Sequence, residues 1–356
     1  LRTGAFRRVE TRLADPSPDG RPRDVVVLLE PAAHRTLELG ASWSTTEGVG
    51  ADIAWTGRNL AREAETWSFS ATLASQSQAV GLSLARPNGA GQGRLARLSA
   101  RLAREDLGPF RRQGLALGYS ADAEPPRRLG LDLGASYGAD LSFDTFDRAE
   151  GVERAVVLSG FAALRADSVD NPLDARQGFS AGVRLEPAVS TGDASTAFAR
   201  LLADVRAFHT PRDGAVTFAV RSRAGWVSPL VGGADDLPLD RLFYAGGGGS
   251  VRGFGFNAIA PERPGNTSTP PGGQGVLELS FETRWRLPRG FGLVAFTDAG
   301  SAFDDLSGAG QWRAGAGVGL RYDLGFAPLR LDVATPLDRR RNEDRVAIYL
   351  SIGQAF

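Results

Sequence analysis

From Leu277 to Leu287 the chain alternates without a break. Leu277, Leu279, Phe281, Thr283, Trp285 and Leu287 take every second position, and Glu278, Ser280, Glu282, Arg284 and Arg286 fill the gaps. Side chains repeat with a period of two only in an extended strand, so this segment has one apolar and one polar face. Leu37, Leu39, Ala41 and Trp43 repeat the pattern, as do Leu129, Leu131, Leu133 and Ala135. A later segment sets Ala314, Ala316, Val318, Leu320, Tyr322 and Leu324 against Arg313, Gly315, Gly317, Gly319, Arg321 and Asp323.

About sixteen such segments follow residue 33. The first eight are expected at 36–45, 49–57, 64–75, 78–86, 93–104, 112–122, 128–138 and 153–166. The second eight are expected at 178–189, 196–208, 214–226, 274–287, 290–299, 311–323, 328–335 and 345–356. In one of them Leu95, Leu98 and Leu102 also fit a helix face. Most connections are short and rich in turn formers, such as Leu287-Pro288-Arg289-Gly290. The exception is a long connector at about 227–273.

A soluble sandwich would bury the apolar faces between two sheets. Here the polar faces carry paired charges, serines and glycines, and the apolar ones carry Trp, Phe, Tyr and Leu. An even number of antiparallel strands, apolar outward and polar inward, is the pattern of a transmembrane β-barrel of the outer-membrane kind. Closure also removes the exposed edges of a large open sheet. The expected fold is therefore all-β, a 16-stranded antiparallel transmembrane barrel over residues 33–356. No run reaches the roughly 18 apolar residues of a membrane helix, but a barrel needs none.

Residues 1–32 differ. Val25 to Leu29 is an unbroken apolar run, expected as a strand buried on both faces, with a weaker strand at Phe6 to Leu13. The turn formers Asp15-Pro16-Ser17-Pro18-Asp19-Gly20 join them. This reads as the tail of a small soluble domain. The chain starts at Leu1 without a visible signal peptide and is expected to begin inside a longer precursor.

Several chemistries are set aside. The 41 basic residues, all arginine, balance 41 acidic ones without a basic stripe, against nucleic acid as the main partner. There is no cysteine, which removes disulfides and thiolate chemistry. Two G-x-S-x-G matches, Gly134-Ser136-Gly138 and Gly178-Ser180-Gly182, lie in alternating segments and lack the strand-turn-helix context of a nucleophile elbow. His34 and His209 have no metal-ligand pattern beside them. Asp235-Asp236 and Asp304-Asp305 read as solvated loop carboxylates, not calcium ligands. No enzyme activity, cofactor or metal is expected.

The long connector holds AGGGGSVRGFGFNAIAP, residues 245–261. It fails the phosphate-binding templates: Phe254 stands where a P-loop needs lysine, and Ser250 where the dinucleotide fingerprint needs glycine. By strand parity the connector starts outside, and a long loop of a large barrel often folds into the lumen. There Arg252 would find inward carboxylates, Glu282 on the twelfth barrel strand and Asp298 on the thirteenth. Phe254 and Phe256 are candidate packing groups beside it.

The stretch from Arg241 through Val251-Arg252-Gly253-Phe254 to Pro261 resembles the sixth-loop VRGF/Y signature of the BamA/TamA outer-membrane assembly superfamily. Phe296-x-Asp298-x-Gly300 is similar to the family's thirteenth-strand motif, and Glu282 matches its acidic partner. Glu38-Leu39-Gly40 through Trp55 and Arg58-Asn59-Leu60 resemble its first hairpin, and Tyr349 to Phe356 its last strand. The AGG-x-x-SVRG wording, with Gly246, Gly247 and Ser250, is most similar to TamA-type members, although Phe254 stands where many have tyrosine. The resemblance implies that residues 1–32 are the end of the last periplasmic POTRA domain and that Arg252 locks the loop on Asp298 and Glu282. It implies a lateral seam involving Leu37, Leu39, Ala41, Ile348, Leu350, Ile352 and Phe356, through which clients enter the outer membrane of a Gram-negative bacterium. The implied clients are outer-membrane proteins, autotransporters included, and the implied partner is a TamB-like inner-membrane-anchored protein. A BamA-type general assembly factor and a two-partner secretion pore exporting an unfolded exoprotein share the signature. A passive porin is weakened by the POTRA-like start.

Overall fold

The computed structural model describes residues 6–14, 23–123, 130–148, 151–212, 214–261, 272–325, 327–341, 343–352 and 354–356. β1 (Phe6–Leu13) and β2 (Val25–Pro31) pair as a separate antiparallel ribbon. The turn expected at residues 15–20 lies outside the described residues. The strand at Val25 to Leu29 is present, but its expected burial is not: Val25 is 63% and Val27 50% exposed. Two strands supply no second layer to cover either face.

Sixteen strands follow. The first eight are β3 (Arg35–Ser44), β4 (Gly48–Arg58), β5 (Thr66–Ala74), β6 (Ser77–Pro87), β7 (Arg94–Asp106), β8 (Arg111–Ala123), β9 (Asp132–Arg148) and β10 (Gly151–Asp167). The rest are β11 (Gly178–Gly192), β12 (Thr196–His209), β13 (Val216–Val231), β14 (Gly275–Arg286), β15 (Phe291–Phe303), β16 (Arg313–Asp323), β17 (Pro328–Pro336) and β18 (Ala347–Ile352). Each pairs antiparallel with its chain neighbours, and β18 meets β3 to close the barrel. Every alternating segment of the sequence became one strand, including that of Leu95, Leu98 and Leu102 in β7.

The faces divide as alternation requires. On β14, Leu279 and Phe281 are 49% and 42% exposed, whereas Glu278 and Glu282 are 4% and 0%. Apolar residues point out and charges point in, the inversion a membrane demands. No helix among the described residues is long and apolar enough to cross a membrane.

Several boundaries differ from expectation, among them these. β9 runs to Arg148, ten residues past its expected end, and β10 begins at Gly151. β18 stops at Ile352, and Phe356 lies beyond it. The interior is also less uniformly polar than parity suggested. Phe146, Val157, Phe198, Val227 and Val276 face inward and form a hydrophobic cluster with Leu237, Leu239, Phe243, Val251, Phe254 and Ile259. Those last six belong to the connector between β13 and β14, whose own apolar side chains need a dry surface.

Candidate functional site in the barrel lumen

The connector enters the lumen and brings Arg252 to a position 1% exposed. Backbone conformation explains part of the glycine run: Gly246, Gly247 and Gly253 have φ of +106°, +105° and +98°, where a Cβ is strained. Gly315 on β16 allows the closest approach, since a Cβ there would lie 2.1 Å from the Arg252 carbonyl oxygen.

Three carboxylates surround the Arg252 guanidinium. Nε and Nη2 donate to Asp298 Oδ2 at 2.6 Å and Oδ1 at 2.9 Å, a bidentate fork. The Arg252 backbone N–H also donates to Asp298 Oδ2, at 3.1 Å. Nη1 donates to Glu282 Oε1 at 2.6 Å and to Asp332 Oδ2 at 3.1 Å. The Phe296 ring lies 3.5 Å from the guanidinium carbon, so one face of the cation rests on an aromatic. Beneath this layer Arg284 pairs with Glu282, and Arg321 and Arg330 pair with Asp332. Four buried arginines therefore share three buried carboxylates, and among the described residues Asp298 alone of the three pairs with no arginine but Arg252.

The remaining signature residues sit around this centre. Ser250 Oγ donates to Glu278 at 2.6 Å and accepts the Gly246 N–H at 2.9 Å. Val251 is fully buried against Gly300, where a Cβ would come within 2.7 Å of its methyl. Phe254 is buried under the Arg313 guanidinium, 4.8 Å from its ring centre, and Phe256 is half-buried beside Gly247. Arg241 is a second anchor, donating to Glu186 at 2.9 Å and to Ser142 at 3.2 Å.

The seam residues do not all come together. Among the described residues, β18 pairs with β3 through Tyr349–Ser44, Leu350–Trp43 and Ser351–Ser42. By contrast, β9 and β10 pair continuously from Arg148–Gly151 to Asp132–Asp167. The Thr45 N–H donates to the Ile348 carbonyl, and the Thr45 hydroxyl oxygen accepts the Ile348 N–H, each at 3.0 Å. Leu37, Leu39 and Ala41 face outward on the part of β3 that has no β18 partner among the described residues. Ile352 pairs with Leu329 of β17, not with β3. Phe356 is not on the seam strand at all: its carbonyl accepts from Arg284 at 3.2 Å and its ring packs near Phe208. Arg284 and Phe208 offer it cation and aromatic contacts that the lipid-facing strand end does not.

Sequence reasoning did not single out Asp332 or Glu47, and gave Glu278, Arg241 and Tyr349 no role in the site. Asp332 had a signal, because Leu329, Leu331 and Val333 alternate with Arg330 and Asp332 and so point it inward. The two G-x-S-x-G matches are strand residues of β9 and β11. Asp305 accepts from the Ser307 and Gly308 N–H groups, a turn role. His34 precedes β3 and His209 ends β12, both exposed.

These features define a class, a sixteen-stranded transmembrane barrel whose longest connector is held in the lumen by a buried arginine. The chain belongs to the Omp85 superfamily, whose domain matches residues 59–356. Over 143 residues it is 29% identical to the outer membrane protein assembly factor BamA of Nitratidesulfovibrio vulgaris, a match spanning 38% of this chain and 18% of that protein. Its fold is similar to BamA from Haemophilus ducreyi lacking POTRA domains 1–3, with TM-score 0.78 at 15% identity over 99% of this chain and 76% of that one. It is also similar to CdiB from Acinetobacter baumannii, with TM-score 0.69 at 10% identity over 98% of this chain and 65% of that one. At such identities the solved structures speak for the fold. Family and fold together place the barrel in the outer membrane of a Gram-negative bacterium.

Proposed function

We propose that this barrel inserts other β-barrel proteins into the outer membrane, as a TamA-type assembly subunit that uses no enzymatic chemistry. The observation that carries the reading is the seam, where among the described residues two strand edges share three residue pairs and much of β3 has no β18 partner. An unpaired strand edge beside lipid is costly, because buried N–H and C=O groups there lack partners. A client strand that paired with it would satisfy both chains, and burial of the client's apolar face would supply the drive. Arg252, Glu282 and Asp298 then serve as the loop lock, and residues 1–32 as the end of a POTRA domain preceding the barrel of residues 33–356. The clients are outer-membrane proteins, autotransporters included, and the periplasmic side receives a TamB-like partner.

The test is site-specific crosslinking of a stalled client from Leu39 on β3 and from Leu350 on β18. Crosslinks from both positions are expected. A client that needs this protein for assembly yet crosslinks at neither position refutes the reading.

A two-partner secretion pore is the second reading, favoured by the fold shared with CdiB. A pore passes its exoprotein through the lumen, so the cargo would crosslink to lumenal residues, and a disulfide across the seam would leave export intact. The same disulfide would stop lateral insertion. A BamA-type general factor would lose every client barrel on depletion, and a TamA-type subunit only a subset.

A further inference from the structure

The lumenal loop touches both edges of the seam. Tyr349, on β18, is 4% exposed and points into the lumen. Its hydroxyl accepts the N–H of Gly253, the residue after Arg252, at 3.1 Å. Its ring also flanks Gly248, where a Cβ would lie 2.9 Å from Cδ1. On the other edge, Glu47 follows β3 in the turn to β4, and its Oε1 accepts the Gly248 N–H at 2.7 Å. The Glu47 N–H in turn donates to Ser44 Oγ at 2.9 Å, and Ser44 is the register partner of Tyr349. The circuit closes: β18, loop, turn, β3, β18.

We propose that Glu47 and Tyr349 are positioning residues that clasp the loop across the seam, making Arg252 docking and seam closure a single transition. This rests on the reading of the seam as the route of client entry. The clasp sits at the paired end of the seam, beside the Thr45 N–H that donates to the Ile348 carbonyl at 3.0 Å. With so few ladder bonds there, two loop contacts are a large share of what holds the edges, and the Glu47 bond is charge-assisted. A cavity of about 420 Å³ lined by Ser42, Glu47, Gly248, Phe256 and Tyr349 leaves room for the loop tip to move. Coupling is reciprocal, so a client that parts the edges also weakens the hold on Arg252.

The test uses the barrel in lipid bilayers without client. The chain has no cysteine, so a Ser42→Cys/Ser351→Cys pair, at register partners, reports seam closure by its rate of disulfide formation. Arg252→Ala should slow that rate by about tenfold, the equivalent of one or two hydrogen bonds. Tyr349→Phe with Glu47→Ala should slow it comparably while Arg252 is intact, and adding Arg252→Ala should slow it little more. Glu47→Gln keeps a carbonyl acceptor and should restore most of the rate. Gly248→Ala should act like the clasp variants, and Gly249→Ala, with nothing within 4 Å of a Cβ, like the parent. Heat-modifiable gel mobility verifies folding of each variant. An unchanged rate in Arg252→Ala, or additive effects, overturns the clasp. Because no client is present, a failure of client crosslinking would refute the assembly reading and leave this result standing.

Discussion

Removing the Arg252 side chain should release the lumenal loop while the barrel stays folded. The side chain makes four hydrogen bonds to carboxylates, two to Asp298 and one each to Glu282 and Asp332. In Arg252→Ala, Glu282 keeps Arg284, and Asp332 keeps Arg321 and Arg330. Asp298 keeps only the backbone N–H of residue 252. The cost is thus concentrated in one stranded carboxylate. Breaking a buried pair in this way costs about 3–5 kcal/mol, less as water reaches the site, so docking should weaken by about two orders of magnitude or more. A second change, Asp298→Asn, removes the stranded charge and should recover part of that loss, giving a subadditive double-mutant cycle. Arg252→Lys should fall between, because an ammonium cannot form the two-pronged contact with Asp298. Limited proteolysis of the loop in bilayers measures docking, and heat-modifiable mobility measures the barrel. A loop as protected in Arg252→Ala as in the parent, or fully additive effects with Asp298→Asn, would show that the ion cluster does not hold the loop.

Gly315→Ala should displace the loop without altering any charge, because its Cβ would meet the Arg252 carbonyl, whereas Gly310→Ala meets nothing within 4 Å; overpacking of this kind costs about 1–3 kcal/mol, read as protease sensitivity of the loop. In the turn between β4 and β5, Arg62 and Ala64 have φ of +65° and +58°. Ala64→Gly should relieve that strain and stabilise the barrel by up to about 1 kcal/mol in denaturant titrations, the reverse of the usual glycine effect. In the same turn the Ala61 and Glu63 N–H groups donate to the Glu65 carboxylate, and the Ala61 bond above all holds its pKa below the ordinary value. A depressed carboxyl stabilises the fold above its unfolded pKa and loses that contribution as pH falls through the folded value. Protection of the turn from hydrogen exchange, relative to the intrinsic rate at each pH, should therefore fall below pH ~4.3, and Glu65→Gln should abolish that dependence.

Much of the barrel was legible because alternation is a local property. Each strand announces its inward and outward residues, and parity alone aimed Glu282 and Asp298 into the lumen. Legibility failed where another part of the chain supplied the environment. The second half of β9 reads Ser142-Phe143-Asp144-Thr145-Phe146-Asp147, with Phe143 outward and Phe146 inward. That breaks the apolar-out rule, and only the connector's cluster explains the inward Phe146. Phe356 looks like a strand terminus, but Arg284 and Phe208, which receive it, lie 72 and 148 residues away.

Strand number, strand faces and the glycine-flanked arginine were determined by the sequence alone, since each depends on neighbours within a few positions. The height of a residue in the barrel depends on the accumulated stagger between strands, and closure sets that stagger for all sixteen at once. Only the tertiary structure could therefore bring Asp332 level with Arg252, lay Tyr349 and Glu47 on either side of the loop, and pair β18 with β3 through three residue pairs among the described residues.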